Sequence, residues 1–309
     1  MELLRFFEAH RTPVFDSIMS LLTLLGEENA LIALGLVILW CVNKKWGFRL
    51  FFMGLLGSGL NQLLKAIFLI PRPWVLDPEF TIVESSREAA SGYSFPSGHT
   101  QSAFMLFGTL SLWLKKRFIY IGGAVLILLV GVSRLYLGVH TPLDVGVSLL
   151  TGLVLLLLAA PLYKKADSSQ NTEFIILCAG ALFCVITLLY VLFAPVTALN
   201  VSEFDADGVK SMFTIVGAML ALVLSWWADT RYLNFSVEAK WWVQALKAIL
   251  GLGLILGLRI LLKAPLIALF GTDGLENGVR YFIITAAGGI LWPMSFPYFK
   301  RLGEAQKKK

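Results

Sequence analysis

About 20 consecutive apolar residues are needed for a helix to cross the roughly 30 Å hydrocarbon core of a bilayer, and this chain holds nine stretches of that character. They run from Asn29 to Asn43, Gly47 to Ile70, Gly98 to Leu114, Phe118 to Leu137, Pro142 to Tyr163, Phe174 to Ala194, Val209 to Ala228, Val243 to Leu262 and Val279 to Phe299. With 57% apolar and 15% charged residues, the chain cannot present a mostly polar surface to water. The pattern predicts an all-α fold, a polytopic transmembrane bundle of about nine spans. Val14 to Leu25 is interrupted by Asp16 and Ser17. It reads as an amphipathic N-terminal helix lying at the interface. Three cysteines, Cys41, Cys178 and Cys184, fall inside spans and behave as small buried hydrophobes, with no disulfide framework or metal implied.

The net charge of +6 could suggest nucleic acid, but its placement argues for membrane orientation. With the N-terminus outside, the inner segments carry Lys44, Lys45, Arg49, then Lys115, Lys116, Arg117, then Lys164, Lys165, then Arg231 and Lys240. The tail adds Lys300, Arg301, Lys307, Lys308 and Lys309, which brings 15 of the 26 basic residues to one side. Short loops rich in Lys and Arg stay cytoplasmic. The segments Pro71 to Ser97 and Pro195 to Gly208, the latter with Glu203, Asp205 and Asp207, then face outward. The polar run Lys164 to Glu173 divides the chain. Residues 1–28 form the amphipathic segment, 29–163 a five-span core, and 164–309 a four-span region whose role the sequence does not reveal. A substrate portal and a homo-oligomer contact are both open for it.

Polar residues of chemical interest gather in the core. An ionisable group at membrane depth costs a few kcal/mol unless paired or facing a polar cavity, so each is a functional candidate. Lys65 ends a stripe of Ser58, Asn61 and Gln62 at helical spacing, which should face protein. Seven residues on, Arg72 sits between Pro71 and Pro73 on a constrained backbone. Ser97, Gly98 and His99 then open an apolar helix, where unpaired N–H groups and the helix dipole favour an anion and a glycine allows close approach. Farther on come Ser133, Arg134 and His140. Thr141 is a natural cap, Pro142 suits the first helical position, and Asp144, four residues past His140, can orient its imidazole. His10 has no such company and reads as structural. Arg259 and Lys263 read as snorkelling side chains, and the pairs Trp226-Trp227 and Trp241-Trp242 as interfacial anchors.

Taken in order, Lys65 to Arg72-Pro73, Pro96-Ser97-Gly98-His99, and Ser133-Arg134 to His140 to Asp144 resemble the tripartite signature of the type-2 phosphatidic acid phosphatase superfamily. Eleven fixed identities make coincidence negligible. The resemblance implies a membrane hydrolase acting on a phosphomonoester or diphosphate without a metal or other cofactor. Lys65, Arg72, Ser97, Gly98 and Arg134 would bind phosphate, His140 would be the nucleophile, His99 the general acid, and Asp144 the group orienting His140. A phosphorylated lipid is the expected substrate, with membrane lipids as surroundings and no nucleic-acid partner. A plasma or bacterial inner membrane is the expected location, with the site on the non-cytoplasmic side. Two other readings are a sugar phosphatase like the glucose-6-phosphatases, suggested by Trp74 to Asp77 after Arg72-Pro73, and a silent scaffold or transporter that kept the fold.

Overall fold

The computed structural model describes residues 1–193 and 202–305, and among these every regular element is helical. The first residues of the acidic segment expected from Pro195 to Gly208, the Ala194 end of the sixth span, and Lys307, Lys308 and Lys309 lie outside the described residues. From Ser202 onward that acidic segment is already helix.

The chain begins with α1 (Glu2–Ala9) and α2 (Pro13–Thr23), followed by α3 (Glu28–Val37), which runs on through a π turn at Ile38–Val42. Next come α4 (Lys44–Phe68), a short α5 (Pro73–Leu76), α6 (Gly98–Leu114), α7 (Arg117–Tyr136) and α8 (Pro142–Ala166). The later half comprises α9 (Gln170–Phe193), α10 (Ser202–Ala228), α11 (Trp241–Leu261), α12 (Lys263–Phe270), α13 (Leu275–Ala286) and α14 (Phe296–Ala305). Helix α4 is the axle: it packs against α3, α6, α9 and α10. One apolar core therefore runs from Phe52 and Met53 through Met105 to Cys184, Met212 and Met219, joining both halves of the chain. All three cysteines are free thiols. Where α10 meets α13, a Cβ on Gly217 would collide with the Gly278 carbonyl. Small residues let membrane helices approach this closely.

Among the described residues, seven helices are long and apolar enough to cross a membrane, or eight if one bent pair counts as a span. The protein is a multi-pass membrane protein, and this count departs from the expected nine spans at two places. Helix α6, expected as the span Gly98 to Leu114, has 17 residues. At a rise of 1.5 Å per residue it is about 25 Å long, at the short end of what crosses a bilayer, and it is not among the seven. It is closed in front by the Ser97 cap and behind by Lys115 in the left-handed region (φ 50°). The Asn29 to Asn43 stretch qualifies only together with the segment before it, as the pair Pro13–Gly26 and Glu28–Val42 bent by 52°.

The N-terminal region differs from a single interfacial helix. Helix α1 buries Leu4 completely against Phe80, Leu137 and Val139, and Arg5 reaches Asp77 at 2.6 Å. Helix α2 packs on α7, and Tyr136 donates to Asp16 at 2.9 Å. A fully buried apolar residue and these long-range bonds tie residues 1–26 to α7 and to the segment between α4 and α6. Arg49, expected in an inner loop, lies inside α4 and is 1% exposed. Its guanidinium grips Glu173 of α9, with Nε to Oε1 at 2.9 Å and Nη2 to Oε2 at 2.5 Å, so the polar run that divides the chain also fastens its halves together.

Candidate active site

Four chain segments converge on one cavity of about 600 Å³. The end of α4 supplies Lys65, the following turn Arg72, the start of α6 Gly98 and His99, and the turn before α8 His140, all of which line it. The helix starts are set by local sequence. Ser97 caps α6, its Oγ accepting from Thr100 N at 3.4 Å. Thr141 and Asp144 form a reciprocal capping box at the start of α8, with Pro142 at its first position. The Phe95–Pro96 peptide is cis.

Arg72 is the most constrained cation, 2% exposed. Nε donates to Gly92 O at 3.0 Å, Nη2 to Ser91 O at 2.7 Å, and Nη1 to Val139 O at 3.0 Å. Nη1 also lies 3.0 Å from His140 Nε2. A guanidinium has donors only, so Nε2 must accept and the ring proton sits on Nδ1. The Nε2 lone pair therefore faces the cavity's fixed positive charge. Burial, and after it the charges of Arg72, Arg134 and Lys65, hold the His140 imidazole well below its ordinary range, so it is neutral at neutral pH.

Asp144 Oδ2 stands 3.5 Å from His140 Nδ1, at the outer edge of hydrogen-bonding reach. The same oxygen accepts from Ser94 Oγ at 2.6 Å and from Thr141 N at 2.7 Å. The carboxylate is thus pinned beside the ring while completing the α8 cap. Lys65 Nζ donates to Tyr93 O at 2.7 Å, and Asp207 of α10 lies near enough to act on it electrostatically.

Arg134 is completely buried and donates through Nη1 to Thr23 Oγ1 at 2.8 Å. Its Nε and Nη2, together with His99 Nε2, are buried with no hydrogen-bond partner among the described residues. Unpaired buried donors are costly, and a site with such donors beside Lys65 and Arg72 is suited to an oxyanion. A Cβ on Gly98 would meet only Asn61 Oδ1 within 4 Å, so this helix start opens onto free space. Ser97 and Arg134 differ from the other expected phosphate ligands: both are buried behind the cavity lining, with Ser97 Oγ engaged by the α6 cap. His10 is exposed, its Nδ1 2.8 Å from Phe6 O, and it does not line the cavity.

Sequence reasoning missed several neighbours. Arg259, read as a snorkelling side chain, lines the cavity and donates to Asn29 Oδ1 at 3.2 Å. Gly26 is pressed against α6, where a Cβ would lie 2.6 Å from His99 O and 2.7 Å from Val130 Cγ1. Glu27, Glu28 and Glu88 share the lining, with Glu27 close enough to act on Arg134. No local signal marks these residues, because each acquires its place only by packing across distant segments.

Fold and site together define a polytopic membrane protein with a polar cavity framed by two imidazoles and fixed cations. Comparison with known families places it further. Residues 46–168 match the PAP2 superfamily, and residues 213–307 match the PAP2 superfamily phosphatase, transmembrane extension. Similar curated proteins include phosphatidylglycerophosphatase B of Bacillus subtilis, 30% identical over 169 residues, covering 50% of this chain and 78% of that protein. Undecaprenyl-diphosphatase BcrC of Bacillus subtilis is 29% identical, covering 48% of this chain and 74% of that protein. Sphingosine-1-phosphate phosphatase 2 of Mus musculus is 28% identical over 62% of this chain and 52% of that protein. No solved structure matches the chain. The chain belongs to the PAP2 superfamily.

Proposed function

We propose that this protein hydrolyses the phosphomonoester or diphosphate of a membrane lipid through a phosphohistidine on His140, at the non-cytoplasmic face of a bacterial inner membrane. The observation that carries the reading is the cavity itself: both imidazoles line it, Lys65 and Arg72 line it with them, and donors of His99 and Arg134 stand buried without partners.

In this mechanism Lys65 and Arg72 hold the phosphoryl oxygens from the cavity lining, Arg134 turns its unpaired donors toward them from behind it, and the α6 start at Gly98, fixed by Ser97, helps. Phosphoryl transfer needs positioning and charge stabilisation above all. His140 Nε2 bonds to phosphorus as the bond to the leaving oxygen breaks, and His99 gives that oxygen a proton. Asp144 steadies the imidazolium that results. His99, now unprotonated, takes a proton from water as the water oxygen attacks phosphorus; the N–P bond breaks and inorganic phosphate leaves. No metal has a part in these steps.

The lipid assignment draws on the relatives, whose names give three different lipid phosphates, and the outward placement draws on the basic inner segments. The domain reading accompanies it: residues 29–163 form the catalytic core, and residues 164–309 a region that serves it. A phosphate-release screen of purified protein across phosphatidylglycerol phosphate, phosphatidic acid, a sphingoid phosphate, a polyprenyl diphosphate and glucose 6-phosphate, with His140→Ala as the blank, tests the proposal. Release from lipid substrates that the variant abolishes is expected. Equal release by the variant, or release from the sugar phosphate alone, would overturn it.

A further inference from the structure

A second cavity of about 470 Å³ adjoins the first, and its walls are apolar. Its volume falls within the range of small-molecule sites, roughly 300–1,000 Å³. Leu31 and Ile32 of α3, Phe48 and Phe51 of α4, Ile215 of α10 and Ile255 of α11 are among its lining. Its wall is therefore shared between the catalytic core and the later helices.

The two cavities meet. Glu28, Asn29, Ser58, Ser102 and Arg259 line both. The hydrogen bond from Arg259 to Asn29 Oδ1, 3.2 Å long, thus marks the junction. Along α4 one face changes character in step: Phe51, Gly54 and Leu55 face the apolar cavity, Ser58 faces both, and Asn61, Gln62 and Lys65 face the polar one. Seven residues separate Ser58 from Lys65, about 10 Å of helix, and ten separate Ser58 from Phe48, about 15 Å. A bound molecule spanning both chambers would be an anion at one end and a hydrocarbon chain at the other.

We infer that the apolar chamber between α3, α4, α10, α11 and α13 receives the hydrocarbon chain of the substrate whose phosphate sits between His99 and His140. The inference rests on the phosphatase reading and deepens it. On this reading the later helices close the chamber that reads the lipid chain, while the core performs the chemistry. The occupant is the substrate's own chain because the chamber and the phosphate cavity share a polar wall of Glu28, Asn29, Ser58, Ser102 and Arg259. The 15 Å of α4 beyond that wall accommodates on the order of ten methylenes, given carbon–carbon bonds of about 1.5 Å.

The test is a series of linear monoalkyl phosphates of increasing chain length, kept below their micelle-forming concentrations, with kcat/KM measured on full-length protein. Each methylene moved from water into an apolar site contributes up to about fourfold. In the wild type kcat/KM should climb with chain length and level off once the chamber is full. Thr285→Phe on α13 and Ala33→Phe on α3 each enlarge a side chain of the chamber lining, from two different helices. Their profiles should level off several carbons earlier. The comparison is made within each variant, so a lower yield of folded protein cancels. A wild-type profile flat in chain length, as expected if bulk membrane lipid fills the chamber, would overturn the inference, as would two filled variants that level off where the wild type does. Failure of the phosphatase reading looks different: no alkyl phosphate, short or long, would release phosphate above the His140→Ala blank.

Discussion

Replacing Arg72 with alanine removes a cation with four of its five N–H donors engaged. In the structure it holds Ser91 O, Gly92 O and Val139 O, and it meets His140 Nε2 at 3.0 Å. Removing one donor aimed at transition-state charge typically costs about 2.7–4 kcal/mol, or about 10²–10³ in kcat. On the proposed mechanism Arg72 acts on that charge, and in the structure it also bonds the two turns that carry the site, so the larger end of the range applies. Arg72→Lys restores the charge but not the fork. One ammonium cannot reach Gly92, Ser91 and Val139 together, so recovery should stay within about tenfold of the alanine variant. Phosphate release by purified wild-type and variant proteins, with thermal unfolding run alongside to confirm folding, gives the comparison. An Arg72→Ala protein that unfolds like the wild type and keeps its kcat/KM within about threefold would refute the reasoning.

The same side chain governs pH dependence. Burial and three nearby cations favour the neutral His140 ring, so the acid limb of the pH–rate profile should lie below the ordinary imidazole range. Removing Arg72 takes away one of those charges, lets the pKa rise, and should shift that limb to higher pH; a limb that stays or moves lower contradicts the assignment. Glu173→Ala removes the buried one of the two carboxylates on Arg49 and leaves it only the more exposed Asp167 at 2.9 Å, which should destabilise by about 1–3 kcal/mol. Calorimetric or fluorescence melting would show it, and an unchanged midpoint would argue against a buried ion pair. Gly26→Val forces a side chain against His99 O and Val130 and should cost about 1–3 kcal/mol through overpacking. Phosphate release should drop at least about tenfold as α6 is displaced, since small misplacements of catalytic groups are costly, and wild-type melting with wild-type turnover would exclude the contact.

The candidate site was legible wherever chemistry is local. Prolines around Arg72, the Ser97 cap before Gly98 and His99, and the Thr141-Pro142-Asp144 helix start each announce their geometry within a few residues, and the structure builds those turns. The apolar runs likewise made a multi-pass helical protein legible. What remained hidden depends on distance in three dimensions. Thr23 binds Arg134 across more than a hundred residues, Gly26 lies against His99, and Arg259 bonds Asn29 from the far end of the chain. No periodicity carries such pairings. Arg49 was misplaced in a loop because a charge beside Lys44 and Lys45 resembles an inner flank, and its compensation, Glu173, sits in a different helix. The expected span count exceeds the seven or eight of the structure because apolar composition does not reveal where caps close α6 at 17 residues, or that the chain bends after Gly26.

In the proposed reaction the contact between Arg72 and His140, 3.0 Å from Nη1 to Nε2, also selects what the site can act on. While the guanidinium rests on Nε2, the lone pair needed for attack is engaged, and an uncharged molecule drifting into the cavity offers nothing to draw Arg72 away. A phosphate does, because its oxygens compete for the same donors. If His140 attacks as proposed, arrival of the anion unsheathes the nucleophile, and the reactive nitrogen stays covered until a molecule of the right charge has come to meet it.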